Sequence, residues 1–163
     1  MLSFKRRAVL GLLAAAPVAA CGFTPVYAPG GQGTLLRNRV RVEPPTNRLE
    51  FELVRRLEER LGQADAPAYA LLHTVETRRE GIAVTGSNDV TRIRVNGSVD
   101  YALIEAASDA QVLAGQGATF TAYSATGTTL ATDAARQDAD DRLMVGLADQ
   151  IVAQLLAGAA RFQ

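Results

Sequence analysis

The sequence is poor in the side chains from which many catalytic and metal sites are built. Its 163 residues include one cysteine and one histidine, and Lys5 is the only lysine. One cysteine cannot form an intrachain disulfide, and these two residues cannot form a His/Cys metal cluster. There is no Gly-x-Ser-x-Gly elbow, no P-loop and no GxGxxG after a strand. We therefore predict no metal site and no cofactor, and no motif in the sequence asks for enzyme chemistry.

The sequence also lacks an excess of basic over acidic residues. The whole chain has 17 basic and 17 acidic residues. If Lys5, Arg6 and Arg7 leave with an N-terminal signal, 14 of the 17 basic residues remain against 17 acidic ones, and the formal charge is about −3. A general nucleic-acid binder would show a basic excess. No nucleic-acid partner is predicted.

The N-terminus lacks an apolar run long enough to span a bilayer, which takes about 20 residues. Lys5-Arg6-Arg7 precede an apolar run over residues 8–16, and Val18-Ala19-Ala20-Cys21 follows. A basic segment, a short apolar run and small residues predict a secretory signal peptide over residues 1–20. Arg6-Arg7 leaves both Sec and twin-arginine export open. Val-Ala-Ala-Cys resembles the lipobox of bacterial lipoproteins, which implies that Cys21 is acylated and begins the mature chain.

The alternative for Cys21 is a small buried thiol after an ordinary signal sequence. A lone thiol is a liability in an oxidising compartment, and acylation removes it. Acylation also supplies more than one chain, as stable anchoring requires. Gly22, and not the Asp of an inner-membrane retention signal, follows the cysteine. The resemblance therefore implies a lipid anchor in the outer membrane, on the periplasmic side.

The mature chain divides into a tether and one domain. Residues 21–36 are rich in Pro and Gly and predict an acylated N-terminus with a flexible tether. Residues 37–163 have the length of a single α/β domain. The patterns predict strands over residues 38–43, 68–77, 90–105 and 112–123, and helices over residues 47–62 and 130–157, with Asn47 as the N-cap of the first helix. The order β-α-β-β-β-α predicts an α+β two-layer sandwich, with a four-stranded, mostly antiparallel sheet and both helices on one face.

The long strand over residues 90–105 sets the two faces of this sheet. Asn96-Gly97 is a hairpin signal, but a hairpin would place apolar and polar residues on one face. We therefore predict one continuous strand with Gly97 at a bulge or a close approach. Its apolar face carries five residues: Ile93, Val95, Val99, Tyr101 and Leu103. On the following strand, the residues predicted to be in phase with the core are Ala114, Ala118, Phe120 and Ala122.

Two other groups invite a functional interpretation. His73 lies on an apolar strand face, where a lone histidine is predicted to be structural; a lipid-anchored enzyme would depend on His73 and scattered carboxylates. Asp138, Asp140 and Asp141 suggest a cation site, but the helical period splits them between faces. A solvated helix face is the prediction for these aspartates.

The sequence resembles the LptE family of lipopolysaccharide-assembly lipoproteins, in its alphaproteobacterial form. The likeness lies in the order of four segments: Cys-Gly-Phe-Thr-Pro-Val-Tyr at residues 21–27, Val-Thr-Arg at residues 90–92 with Val-Asp-Tyr-Ala-Leu at residues 99–103, Phe-Thr-Ala-Tyr-Ser at residues 120–124, and residues 134–142 leading into Leu-Ala-Asp-Gln-Ile at residues 147–151. One departure is residues 125–130, which lack an expected aromatic residue.

The resemblance implies that the protein is not an enzyme. It implies a protein that plugs the lumen of the LptD β-barrel translocon, assists its assembly and acts in placing lipopolysaccharide in the outer membrane. Its implied partners are an LptD-like barrel, lipopolysaccharide and the membrane that holds the acyl chains. The alternative is a periplasmic accessory lipoprotein of an ABC-type lipid transporter, whose partner would be an inner-membrane complex.

Four arginines form the candidate lipopolysaccharide phosphate-binding site. Arg92 and Arg94 lie two residues apart on one strand face, and Arg78 and Arg79 are their expected neighbours across the sheet. A guanidinium fork pairs well with phosphate oxygens. The alternative is a solvated sheet face on which the arginines form cross-strand ion pairs with Asp100 or Glu76.

Overall fold

The computed structural model describes residues 31–84 and 90–159. Within these ranges the elements are α1 (Gln32–Leu36), β1 (Val40–Val42), α2 (Arg48–Leu61), β2 (Tyr69–Val84), β3 (Val90–Glu105), β4 (Gln111–Ser124) and α3 (Thr129–Gly158). The predicted order β-α-β-β-β-α is confirmed, and α1 precedes it. No helix in the described ranges combines the length and the apolar character needed to cross a membrane.

The sheet has the strand order β1-β2-β3-β4. β1 pairs with β2 in parallel, because α2 carries the chain back to the same end of the sheet. The other two pairings are antiparallel. β2 and β3 form a hairpin of two 16-residue strands, so β2 extends past its predicted end at residue 77. The predicted α+β sandwich with a mostly antiparallel sheet is confirmed.

The core lies between one face of the sheet and the two long helices. Each helix repeats apolar residues at helical spacing and buries that stripe. The buried residues of the helices include Leu53, Leu57, Leu61, Leu143, Leu147, Ile151 and Leu155, and those of the sheet include Leu71, Val95, Val99 and Leu103. Leu36 of α1 is 0% exposed in the same core. The packed domain therefore begins within the last residues of the predicted tether.

Asn47 begins α2 as predicted. Its side-chain oxygen accepts a hydrogen bond from the Glu50 amide at 3.1 Å. The Glu50 carboxylate accepts from the Thr46 amide at 2.7 Å, one residue before the cap. These bonds satisfy backbone donors that the first turn of a helix leaves without partners.

The face predicted for β4 is wrong. Ala122 lies opposite Arg94 and Phe120 lies opposite Asn96, so the apolar-looking set is on the face away from the helices. The core-facing set is Leu113, Gly115, Gly117, Thr119, Thr121 and Tyr123. In the middle of the strand, small residues are required, because a Cβ on Gly115 would lie 2.5 Å from the Tyr101 hydroxyl and a Cβ on Gly117 would lie 2.8 Å from the Gln150 side-chain oxygen. Leu113 and Tyr123 add apolar surface at the two ends of this face.

Gly97 marks a close approach and not a bulge. β3 is continuous, and its register is unbroken at this residue. A Cβ on Gly97 would lie 2.9 Å from Cδ2 of Leu143, whose side chain is fully buried. The absence of a side chain at Gly97 lets α3 lie directly on β3.

Side chains of α3 also bind the outer edge of β4. Gln150 accepts from the Ala118 amide and donates to its carbonyl, both at 3.1 Å. Gln154 donates to the Gln116 carbonyl at 2.9 Å and accepts from the Tyr101 hydroxyl at 2.8 Å. These bonds satisfy outward-facing backbone groups of an edge strand. They fix the position of α3 on the sheet.

Gly97→Ala is expected to lower the free energy of unfolding by about 1–3 kcal/mol, because the added methyl group overpacks the site against Leu143. Chemical denaturation measures the change. Gly146→Ala is the matched control. A Cβ there meets Thr119 at 3.4 Å, and alanine in a helix interior is favoured over glycine by up to about 1 kcal/mol. Equal stability of the two variants would contradict the close approach at Gly97.

Candidate functional site

The sheet face away from the helices holds three of the four predicted arginines. Arg92 lies opposite Ser124, and Arg94 lies opposite Glu80. Arg78 lies opposite Asn96, on the same face. We call this surface the open face. The structure therefore brings Arg78, Arg92 and Arg94 together on one surface.

Arg79 is not part of this cluster. Adjacent residues of a strand point to opposite faces, and Arg79 lies opposite Val95 on the helix face. Its Nη2 lies 2.8 Å from each carboxylate oxygen of Asp140. Asp140 is only 7% exposed, so the prediction that the aspartates form a solvated face is wrong for this residue. The ion pair ties the sheet to α3.

Phe120 positions the Arg94 guanidinium. The Arg94 Cζ lies 5.0 Å from the centre of the Phe120 ring, within cation–π range. Phe120 is itself 62% exposed. The Arg94 Nε is buried and has no hydrogen-bond partner in the described part of the chain. The sequence analysis missed Phe120 because it placed this ring in the core. The signal was the pairing of Phe120 with Asn96, which lies on the same face of β3 as Arg94.

The ion pairs of the alternative interpretation do not form among the described residues. Arg78, Arg92 and Arg94 make no ion pair within residues 31–84 and 90–159. Glu76 lies opposite Ser98, and Asp100 lies opposite Thr74. The three guanidinium groups therefore keep hydrogen-bond donors available for an anionic ligand.

The open face is concave along β3. One cavity of about 660 Å³ has Thr74, Asp100, Ala102 and Gln116 in its lining. A second cavity, of about 610 Å³, has Glu76, Arg78, Asn96, Ser98 and Phe120 in its lining. β3 supplies residues 100–102 to the first depression and residues 96–98 to the second, and no lining residue is common to both.

His73 has the surroundings of a structural residue. It lies opposite Tyr101 on the helix face of the sheet. Its Nδ1 is buried, and no group of the described residues hydrogen-bonds to it. Burial lowers the pKa of His73 from its ordinary value of 6.5, against the opposing effect of Glu50 and Glu43.

The comparison with protein families decides the assignment. The family model described as LptE, lipopolysaccharide-assembly, matches residues 37–155. The chain belongs to the LptE family. This family consists of non-catalytic lipoproteins, and the match runs from just before β1 to the last turns of α3. No curated protein matches the chain in sequence.

Solved structures of bacterial lipoproteins share the fold. A putative lipoprotein from Caulobacter crescentus superposes with a TM-score of 0.67 at 22% identity, over 80% of this chain and 97% of that one. The rare lipoprotein B from Shewanella oneidensis superposes with a TM-score of 0.58 at 14% identity, over 76% of this chain and 96% of that one. A minor lipoprotein from Acinetobacter baumannii superposes with a TM-score of 0.54 at 18% identity, over 73% of this chain and 89% of that one. At these identities the likeness establishes the fold alone.

Cys21, the signal peptide and residues 21–30 of the predicted tether lie outside the described residues. Within the described ranges, no group of three His, Cys, Asp or Glu side chains converges as metal ligands would.

His73 makes folding stability depend on pH. Because the folded pKa lies below 6.5, the unfolded chain binds more protons than the folded one just below that pH. Stability is therefore expected to fall as the pH is lowered from about 7 to about 5. Denaturation midpoints across this range measure the slope, which His73→Gln should reduce. The lowered pKa of Glu50 acts below its ordinary value of 4.5, outside this window. An unchanged slope in the variant would show that His73 is not the cause.

Proposed function

We propose that this LptE-family protein is an outer-membrane lipoprotein of the alphaproteobacterial type, anchored through acylated Cys21. In this proposal it occupies the lumen of an LptD-like β-barrel, assists assembly of that barrel, and takes part in placing lipopolysaccharide in the outer membrane. The observation that carries the proposal is the family match over residues 37–155, which includes nearly every element of the domain.

The distribution of polarity supports a position inside a barrel. The helix face of the sheet packs against the core, whereas the open face carries polar side chains from all three long strands. The lumen of a large outer-membrane barrel is polar and water-filled. A domain with one polar sheet face and a formal charge of about −3 is compatible with that environment.

Arg78, Arg92 and Arg94 are the residues that we propose to bind lipopolysaccharide phosphates. Each makes no ion pair within the described chain, and Arg94 is additionally held by Phe120. Arg79, the fourth arginine of the sequence hypothesis, is omitted because Asp140 already takes its guanidinium. Charge-assisted hydrogen bonds to phosphate are the strong members of their class, which suits a ligand that must be held in water.

Co-purification tests the partner. The tagged lipoprotein is isolated from detergent-solubilised outer membranes, and bound proteins are identified by mass. We expect one large β-barrel in stoichiometric amount. Recovery of an inner-membrane ATPase complex would instead support the accessory-lipoprotein alternative, and recovery of no partner would contradict a stable plug.

Cys21→Ser should move the protein from the membrane fraction to the soluble periplasmic fraction, because the acyl anchor is lost.

Charge reversal tests the arginines. Arg92→Glu with Arg94→Glu is expected to weaken binding of lipopolysaccharide by the mature lipoprotein at least tenfold, because two charge-assisted contacts of about 1.5–3 kcal/mol each are lost. Isothermal titration in detergent measures the affinity.

The chain offers a matched control for that variant. Arg39 and Arg41 have the same two-residue spacing beside β1 and are exposed. Arg41 lies opposite Ala70, so the pair is about 30 Å along β2 from the cluster. Arg39→Glu with Arg41→Glu imposes the same change of net charge and should leave the affinity near that of the wild type. Equal losses from both double variants would mean that net charge alone, and not the cluster, governs binding.

A further inference from the structure

The outer edge of β2 lies uncovered along most of its length in the described part of the chain. β1 pairs only with residues 69–71, because two prolines, residues 44–45, follow it and proline cannot continue a ladder. At the other edge of the sheet, Gln150 and Gln154 cap the backbone of β4. The backbone of residues 73–81 receives no hydrogen bond on its outer side from any described residue.

Two hydrogen bonds show which backbone groups of β2 point outward. The Tyr69 amide donates to the Arg39 carbonyl at 3.1 Å, and the Glu43 amide donates to the Leu71 carbonyl at 2.9 Å. Backbone groups alternate between the two sides of a strand. The odd-numbered residues from 73 to 81 therefore also direct an amide and a carbonyl outward. Such a row of donors and acceptors matches the edge of another extended strand.

The charges on β2 select one register for pairing with a second copy of this chain. In an antiparallel pair centred on Arg79, Arg78 lies opposite Glu80 of the second copy, and a two-fold axis repeats the contact. Opposite charges facing each other across a strand pair are favourable, and like charges are not. Centring the pair one residue away sets Arg78 against Arg78, or Glu80 against Glu80. The charges therefore favour the pair centred on Arg79.

β1 excludes the other register that opposes unlike charges. A pair centred on residue 77 would bring Ala83 of the second copy opposite Leu71, where Val42 of β1 is already paired. In the pair centred on Arg79, the β2 strand of the second copy ends short of β1. The two Arg79 side chains meet at the centre of this pair, and each is neutralised by its own Asp140.

Phe51 is an exposed apolar residue beside this edge. α2 begins next to the uncovered segment, since Leu49 and Arg79 line the same cavity of about 230 Å³. Arg60 binds Asp149 of α3 at 3.1 Å. At about 100° per residue, Phe51 lies on the side of α2 opposite Arg60. Its ring, which is 56% exposed, therefore points away from α3, toward the outer edge of the sheet.

The far end of the β2–β3 hairpin carries a second exposed apolar group. Ile82 is 42% exposed and Val90 is 44% exposed. An antiparallel pair of β2 strands brings the hairpin end of one copy to the start of α2 in the other. Phe51 of one copy then meets Ile82 of the second copy, and apolar area is buried at both ends of the pair.

We propose that a second copy of this chain docks on the outer edge of β2, through antiparallel pairing centred on Arg79. The two sheets of four strands join into one continuous sheet, with the helices of both copies on the same face. Arg78 pairs with Glu80 of the second copy, and Phe51 covers Ile82. Arg78 is the one residue that this dimer shares with the proposed phosphate site.

Sedimentation of the mature lipoprotein, in enough detergent that micelles outnumber the protein, tests the association. The wild type should pass from monomer to dimer as its concentration rises to about 0.1 mM. Arg78→Glu and Glu80→Arg should each raise the dissociation constant of the dimer at least tenfold, because like charges then meet twice across the axis. The double variant should restore the constant, since the opposite charges are exchanged. A monomeric wild type, or a double variant as weak as the single ones, would overturn the proposal.

Two matched controls accompany these variants. Arg37→Glu makes the same change of net charge at an exposed position where α1 ends, and it should leave the dimer unchanged. Phe51→Ala should weaken the dimer about tenfold, because two apolar contacts are lost. Leu130→Ala is its control, since Leu130 is 81% exposed at the start of α3, away from β2. Equal losses in a variant and its control would contradict this interface.

Cysteine cross-linking tests the register. Arg78→Cys and Glu80→Cys proteins, mixed and oxidised, should form a disulfide-linked dimer faster than either protein alone, because these two positions face each other across the pair. Arg78→Cys alone, cross-linking as fast as the mixture, would place the centre at residue 78 and overturn the register.

An extended segment of another protein is the competing occupant of this edge. If the wild type stays monomeric and Glu80→Cys cross-links to a co-purified β-barrel, the edge belongs to that barrel and the second copy is overturned. The proposed function is judged separately. A lipoprotein that self-associates but recovers no barrel would support the dimer and contradict the plug.

Discussion

The close approach of α3 to the sheet is the constraint on which the rest of this structure depends. Gly97 and Gly115 leave room for Leu143 and for the hydroxyl of Tyr101, and any side chain at either glycine would collide. Gln150 and Gln154 then reach the edge of β4 and satisfy its backbone. Contacts and hydrogen bonds together fix α3, so the helices pack on one face of the sheet. The other face carries no helix and is open to a binding partner.

The two faces of the sheet carry different charged residues. Arg78 and Arg79 are adjacent in sequence, yet the pleat directs them to opposite sides of the sheet. Arg79 neutralises the nearly buried Asp140, where an unpaired carboxylate would be costly. Arg78 joins Arg92 and Arg94 on the open face. One arginine of the four therefore contributes to packing, and the other three keep the capacity to bind a ligand.

The open face has properties that suit a non-catalytic binding protein. It is long and concave, and its polar side chains are not bonded to one another. His73, the only histidine, lies on the helix face of the sheet and is half-buried. The LptE family, to which the chain belongs, consists of non-catalytic lipoproteins. What the surface offers is recognition through hydrogen bonds, one aromatic ring and three cations.

The sequence by itself determined the α+β class, the element order, the cap at Asn47 and the continuous β3 strand, because each depends on local periodicity or on a nearby turn. It also pointed to the LptE family and to Arg92 and Arg94, which share a face whatever surrounds them. Tertiary structure alone decided which face of β4 is buried, since the register with β3 turns the small residues Gly115 and Gly117 toward α3, which lies close to them. It also decided that Arg79 meets Asp140 and that Phe120 meets Arg94. Both contacts join residues far apart in the chain, and the register and pleat of the finished sheet bring them together.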